Sequence, residues 1–166
     1  GSRLDVGTNS AVVGSAGNTV TLIKDGKFGV NDSLNSLTIQ SGGVVTHSRR
    51  LVAGLRLHVS GTLEIQESGT IDVSAQGLHG GGGNGSAFGF YGETFDSTGE
   101  IVAGASGSGS GSAGGSYGGV GQVYGAAVTN PVYGLLEDPQ YLGSGGGAWG
   151  QRGGNGGGRI RITAGS

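Results

Sequence analysis

The sequence contains no cysteine, no methionine and only two prolines among its 166 residues. Without cysteine there are no disulfides, no thiolate metal sites and no cysteine nucleophile, a pattern that fits the surface proteins of many bacteria. Scarce proline and the lack of a strict Gly-X-Y period exclude collagen and set the chain apart from low-complexity linkers. Charged residues make up 12% and the net charge is −2. Self-repulsion therefore does not hold the chain open, and no basic patch offers itself to nucleic acid. No run reaches the ~18 apolar residues that a membrane-spanning helix needs. The 3.6-residue apolar period is missing as well, which predicts almost no helix. Gly1-Ser2 reads as a cloning remnant. With no initiator methionine, the chain is expected to be a piece of a larger secreted protein, its signal peptide removed.

What is present in excess is glycine, 42 residues of it, against a usual share of about 7%. Glycine buries no side chain and loses the most backbone entropy on folding, so such a chain defaults to disorder. The first 79 residues argue otherwise. Val20-Thr21-Leu22-Ile23, Leu37-Thr38-Ile39, Gly43-Val44-Val45-Thr46, Leu55-Arg56-Leu57-His58-Val59, Leu63-Glu64-Ile65 and Ile71-Asp72-Val73 are short runs bounded by Gly, Ser or Asn. Most alternate apolar with polar, which places Leu55, Leu57 and Val59 on one face of a strand and Arg56 and His58 on the other.

Between Leu55 and Gly77 these runs start about seven residues apart, separated by Ser-Gly corners, which suggests successive sides of stacked coils. Hairpins would show Asn-Gly or Asp-Gly turns between longer strands, and Asp25-Gly26 is the only good candidate. The fold class expected is all-β, a parallel β-helix or β-solenoid, with an antiparallel β-sandwich as the alternative.

Residues 80–158 follow another pattern. They hold most of the glycine, in runs such as Gly80–Gly83 and Gly153–Gly158, and nine aromatics including Tyr117, Tyr124, Tyr133, Tyr141 and Trp149. Two arrangements suit such a segment. One is long loops pinned by their aromatics; the other is packed, extended polyglycine helices whose backbones touch. At Arg159-Ile160-Arg161-Ile162-Thr163 the strand pattern returns, and this strand is expected to stack on the Leu63 or Ile71 rungs. The organisation expected is one structural domain: coils over 3–79, a glycine-rich, aromatic-bearing insert over 80–158 packed on them, and a returning strand over 159–166.

Leu55–Gly77, Gly80–Gly83, Gly114-Gly115-Ser116-Tyr117-Gly118-Gly119, Tyr133-Gly134, Pro139 with Leu142-Gly143-Ser144-Gly145-Gly146-Gly147, and Gly156-Gly157-Gly158-Arg159-Ile160-Arg161-Ile162 follow a characteristic order. This order resembles the glycine-rich β-solenoid modules of very large secreted or cell-surface proteins, many of them adhesin-like. The resemblance covers roughly residues 36–163. It implies a parallel β-helix and a surface role, and it transfers no catalytic residue. Glycine-rich receptor-binding tips of phage tail fibres, built on packed polyglycine helices, are a looser likeness.

Motifs that suggest enzymes fail on context. Gly114-Gly115-Ser116-Tyr117-Gly118 matches the G-x-S-x-G nucleophile elbow, but lacks the strand before and the helix after. Gly145-x-Gly147-x-x-Gly150 matches a dinucleotide fingerprint with no strand–helix context and no acidic partner downstream. His47, His58 and His79 are dispersed and read as solvated, outward-facing side chains. Glycoside cleavage needs two carboxyls ~5–10 Å apart. Glu64 and Asp72 on strand faces, or Glu137-Asp138 near Tyr141 and Arg152, are the candidates. No Asp-rich EF-hand loop is present, and calcium on loop carboxylates is the one cofactor left open. Asn31-Asp32-Ser33 and Asn84-Gly85-Ser86 match glycosylation acceptors.

The aromatics are the strongest lead. They serve either as the insert's own small core or as a binding face. The ligand-binding set is Tyr117, Tyr124, Tyr133, Tyr141, Trp149, Glu137, Asp138 and Arg152, with no catalytic and no metal residue. The function expected is a non-enzymatic structural or adhesion module, secreted or at the cell surface, whose partner is a glycan or a cell-surface protein. A β-helix polysaccharide lyase or hydrolase and a phage-type receptor-binding tip are the alternatives. Neighbouring domains of the same protein are further partners; nucleic acid and membrane insertion are not expected.

Overall fold

The computed structural model describes residues 10–13, 19–22, 34–83, 85–108 and 111–165. Ile23, Asp25-Gly26, Asn31-Asp32-Ser33 and Asn84 lie outside them. The described residues form short strands in small sheets and no helix, so the protein is all-β. The chain divides into two compact units, one of Gly1–Val73 with Ile160–Ser166 and one of Ser74–Arg159.

In the first unit, β5 (Leu55–Val59) shows how the sequence makes the structure. Its odd-numbered residues are buried and Arg56 and His58 are exposed, as period-two alternation requires. The other strands are β1 (Ser10–Val13), β2 (Thr19–Leu22), β3 (Ser36–Ile39), β4 (Val44–His47), β6 (Leu63–Ile65), β7 (Thr70–Ile71) and, after the second unit, β13 (Ile160–Ala164). They form three ladders, β1-β3-β6, β2-β4-β7 and β5-β13. Every described pairing in this unit is parallel, so the antiparallel alternative does not describe it.

Leu37 pairs with Leu63, Ile39 with Ile65 and Val45 with Ile71, each 26 positions later in the chain. The offset between these paired strands is therefore 26 residues and not seven; strands about seven residues apart in the chain, such as β5, β6 and β7, do not pair with one another. Leu34, Leu37, Ile39, Val45, Leu55, Leu57 and Val59 fill the core, with Leu63, Ile71 and Val73 against them. Each such side chain contributes about 1.5–3 kcal/mol of burial.

The corners repeat too. Gly43 N–H donates to the Gln40 carbonyl and Gly69 N–H to the Gln66 carbonyl, both at 2.8 Å. The third residue of each turn has positive φ, Gly42 at 72° in the first and Ser68 at 61° in the second. A serine thus holds a left-handed conformation that its counterpart leaves to glycine.

β13 does not stack on the Leu63 or Ile71 rungs. It pairs with β5 in register, Ile160 beside Leu55 and Ile162 beside Leu57. β6 and β7 pair with β3 and β4, and β5 is the strand whose edge β13 takes.

The second unit is built differently. Its strands are β8 (Glu93–Phe95), β9 (Ile101–Ala103), β10 (Gly107–Ser108), β11 (Gly111–Ala113) and β12 (Val123–Tyr124), and all their pairings are antiparallel. Beside them run three extended glycine-rich segments, residues 77–81, 143–147 and 153–157. Leu78 and Gly81 donate to the carbonyls of Gly143 and Gly146, both at 3.0 Å. Gly143 and Gly146 donate to Gly157 and Gly154 at 2.9 Å, and Gly156 and Gly153 donate back to Leu78 and Gly81 at 2.9 and 3.1 Å.

Each link recurs after three residues, the period of the extended threefold polyproline-II conformation. Within these segments the need for glycine differs from position to position. A Cβ on Gly153 would overlap the carbonyl of Gly146, and one on Gly156 the carbonyl of Gly143, whereas Gly154 and Gly157 face open space. The side-chain core of this unit is small: Leu78, Phe95 and Leu142, with Ile101 and Tyr133 packed against them.

Candidate functional site

The aromatics of the second unit separate into two groups. Tyr133 is the centre of the first, with its ring 5.1 Å from Tyr117, 5.8 Å from Phe95 and 5.9 Å from Tyr141. Its hydroxyl donates to the Leu142 carbonyl (2.6 Å) and accepts from Ser144 Oγ (3.0 Å). Burial pushes the Tyr133 phenol up to about 12. Tyr117 packs under the turn at Gly134, where an added Cβ would meet its ring, and its hydroxyl accepts from the Tyr141 N–H at 3.4 Å. Tyr117 and Tyr133 are therefore internal packing, because glycine supplies no other core here. Tyr141 bridges core and surface with 43% of its area exposed.

A buried polar network backs this core. Asn130 Nδ2 donates to Thr94 Oγ1 at 2.9 Å, and Asn130 Oδ1 accepts from the Ser116 N–H at 2.8 Å. Thr94 Oγ1 in turn meets Ser144 Oγ at 3.0 Å, so the network runs on to the Tyr133 hydroxyl. Ser116, the serine of the elbow-like motif, is thereby committed to structure.

Tyr124 and Trp149 form the second group, with ring centroids 6.4 Å apart and tilted by 39°. They are 67% and 50% exposed. Backbone pairing brings them together: Tyr124 in β12 pairs with Ser112 in β11, and the β11 residue Ala113 accepts from Gly147 N–H at 2.8 Å, two residues before Trp149. Trp149 and Gln151 are bridged antiparallel across Gly150, whose φ of 68° makes the tight turn. Ala148 N–H donates to the Phe90 carbonyl at 2.8 Å, which fixes a second exposed aromatic next to this turn. Phe90, Gln151 and Arg152, with Gly82 and Gly150, line a recess of about 330 Å³.

Glu137 and Asp138 stand on the exposed surface, where Asp138 Oδ1 accepts from Gln140 Nε2. No described ion pair joins either of them to Arg152. Of the proposed set, the structure brings together Tyr124 and Trp149 on one side, and Tyr117, Tyr133 and Tyr141 on the other. Sequence reasoning passed over Phe90 as a site residue, since its link to Ala148 spans 58 positions and leaves no local trace.

It also passed over Glu93, which is buried and whose Oε2 accepts the His79 N–H at 3.0 Å. That carboxylate acts as a backbone anchor. His58 is exposed, but His47 is not the solvated histidine expected: it is fully buried in β4, with its Nδ1 2.8 Å from the Ser48 carbonyl. Among the described residues, no group of three His, Asp or Glu side chains could hold a metal ion, and no helix is long and apolar enough to cross a membrane. Comparison of the chain with family models, with curated proteins and with solved structures returned no match.

Proposed function

We propose that the chain is a non-enzymatic structural and adhesion module of a secreted or cell-surface protein, and that Tyr124 and Trp149 hold a glycan. In this reading the first unit is a three-sided parallel β-solenoid, supported by its three parallel ladders and its 26-residue register. The second is an insert of packed, polyglycine-II-type segments, supported by hydrogen bonds that recur every three residues.

The observation that carries the function is the exposed Tyr124–Trp149 pair. Two large rings kept at the surface forgo much of the burial that would stabilise them, and they sit on backbone tied down at Ala113, Gly147 and Ala148. A pre-ordered aromatic pair stacks on the C–H face of a sugar ring with little further loss of freedom. The test is a glycan array with the full chain. Trp149→Ala and Tyr124→Ala are expected to weaken binding about tenfold or more with an unchanged circular-dichroism spectrum. Absence of binding by the parent chain, or binding indifferent to both changes, refutes the reading.

The three-residue period also favours a second reading, a receptor-binding tip of the phage type. That reading expects the chain to bind whole bacterial cells and to compete with phage adsorption, and it fails if neither occurs.

A further inference from the structure

We infer that the recess beside Trp149 accepts a negatively charged sugar unit, with Arg152 as the residue that reads its charge. This rests on the glycan reading above and adds the class of glycan.

The recess is assembled from three backbone stretches that are tied to one another. Gly82 N–H donates to Gly89 at 2.8 Å, Gly153 N–H to Gly81 at 3.1 Å, and Ala148 N–H to Phe90 at 2.8 Å. Its wall thus has a fixed shape before any ligand arrives. The volume of about 330 Å³ lies at the lower end of small-ligand sites and suits a single sugar ring. Phe90 offers an apolar face, Gln151 an amide that can both donate and accept, and Arg152 a planar fork of donors.

The charge argument is local. Among the described residues the guanidinium of Arg152 has no hydrogen-bond or ion-pair partner, and no carboxylate lines the recess. Residues 74–159 carry five acids (Glu93, Asp96, Glu100, Glu137 and Asp138) against two arginines. A diffuse attraction for any polyanion is therefore ruled out, and selection must come from one directed contact. Arginine pairs with a carboxylate or sulfate through two parallel hydrogen bonds, the strongest such contact available to a side chain. Trp149 directly precedes the lining residue Gly150 and is bridged to Gln151, so a chain stacked on Trp149 can seat its neighbouring, charged sugar in the recess with Arg152.

The experiment measures binding of the full chain to three ligands of equal length: an oligouronate, its carboxyl-reduced neutral counterpart and a sulfated oligosaccharide. The expected result is tighter binding of a charged ligand than of the neutral one. Arg152→Gln removes that preference, about tenfold or more, by weakening the charged ligand far more than the neutral one; Arg152→Lys restores part of it. Preference for the uronate assigns a carboxylate, and preference for the sulfated sugar assigns a sulfate. Because Arg152 is exposed, neither change endangers the fold. Equal binding of charged and neutral ligands, lost on Trp149→Ala and untouched by Arg152→Gln, overturns the inference while the glycan reading stands. No binding to any of the three, together with a blank array, overturns both.

Discussion

The two units solve the same problem with opposite means. In the first, aliphatic side chains stack 26 residues apart and the backbone pairs along strand edges, so cohesion comes from burial. In the second, glycine is abundant, and along residues 77–81, 143–147 and 153–157 the backbones themselves are in contact through hydrogen bonds that recur every three residues. The difference teaches where each unit is vulnerable. A unit held by side chains fails when one is removed, and a unit held by backbone contact fails when one is added.

Four predictions sharpen that contrast. Leu37→Ala, at a fully buried position, is expected to cost about 3–4 kcal/mol in thermal or denaturant unfolding. Ile65→Ala, on the next strand of the same ladder but 47% exposed, should cost well under half as much. Equal losses would mean that the ladder model of the core is wrong.

Next comes addition. Gly156→Ala places a methyl onto the Gly143 carbonyl and should cost about 3 kcal/mol, whereas Gly157→Ala, facing open space, should stay within about 0.5 kcal/mol. If both are tolerated, the glycines are interchangeable and the backbone lattice is not what holds this unit.

A titration probes the aromatic core. Tyr133 titrates at about 12 against an ordinary value of 10.0 because burial disfavours the phenolate. A raised folded-state value contributes stability that is complete below pH 10 and is lost as pH rises through 12. Phenolate absorbance should therefore keep rising above pH 10, and Tyr133→Phe should remove that part of the rise. Absorbance above pH 10 that is the same with and without Tyr133→Phe would contradict its burial.

The smallest effect is a gain. Ser68→Gly relieves a left-handed serine and should stabilise the first unit by about 0.5–1 kcal/mol, matching the glycine already present at Gly42. A loss instead would show that the Ser41–Ser68 hydroxyl contact of 2.8 Å outweighs the strain.

Much of this was legible in residue patterns. The runs at Leu37–Ile39, Leu55–Val59 and Leu63–Ile65 coincide with strands because side-chain alternation is a local property. A longer signal was present and easily overlooked: Leu37-x-Ile39-Gln40-x-x-Gly43 recurs as Leu63-x-Ile65-Gln66-x-x-Gly69, which is the 26-residue register written out. The seven-residue spacing obscured it, because strands that follow one another in the chain look alike. The partner of β13 was misjudged for the related reason that Leu55, Leu63 and Ile71 all begin similar strands. Within the candidate site, the aromatics stood out by type, but nothing in their glycine-rich surroundings separated Tyr133 from Tyr124.

By itself, then, the sequence determined an all-β protein with no helix among its described residues, an aliphatic half and a glycine half. These follow from periodicity and composition, which act over a few neighbouring residues. Only the tertiary structure decided which glycines are needed, Gly153 and Gly156 but not Gly154 and Gly157, and which aromatics face out, Tyr124 and Trp149 but not Tyr133. Both depend on which distant backbone lies opposite each residue, a matter of long-range contact on which the local pattern is silent.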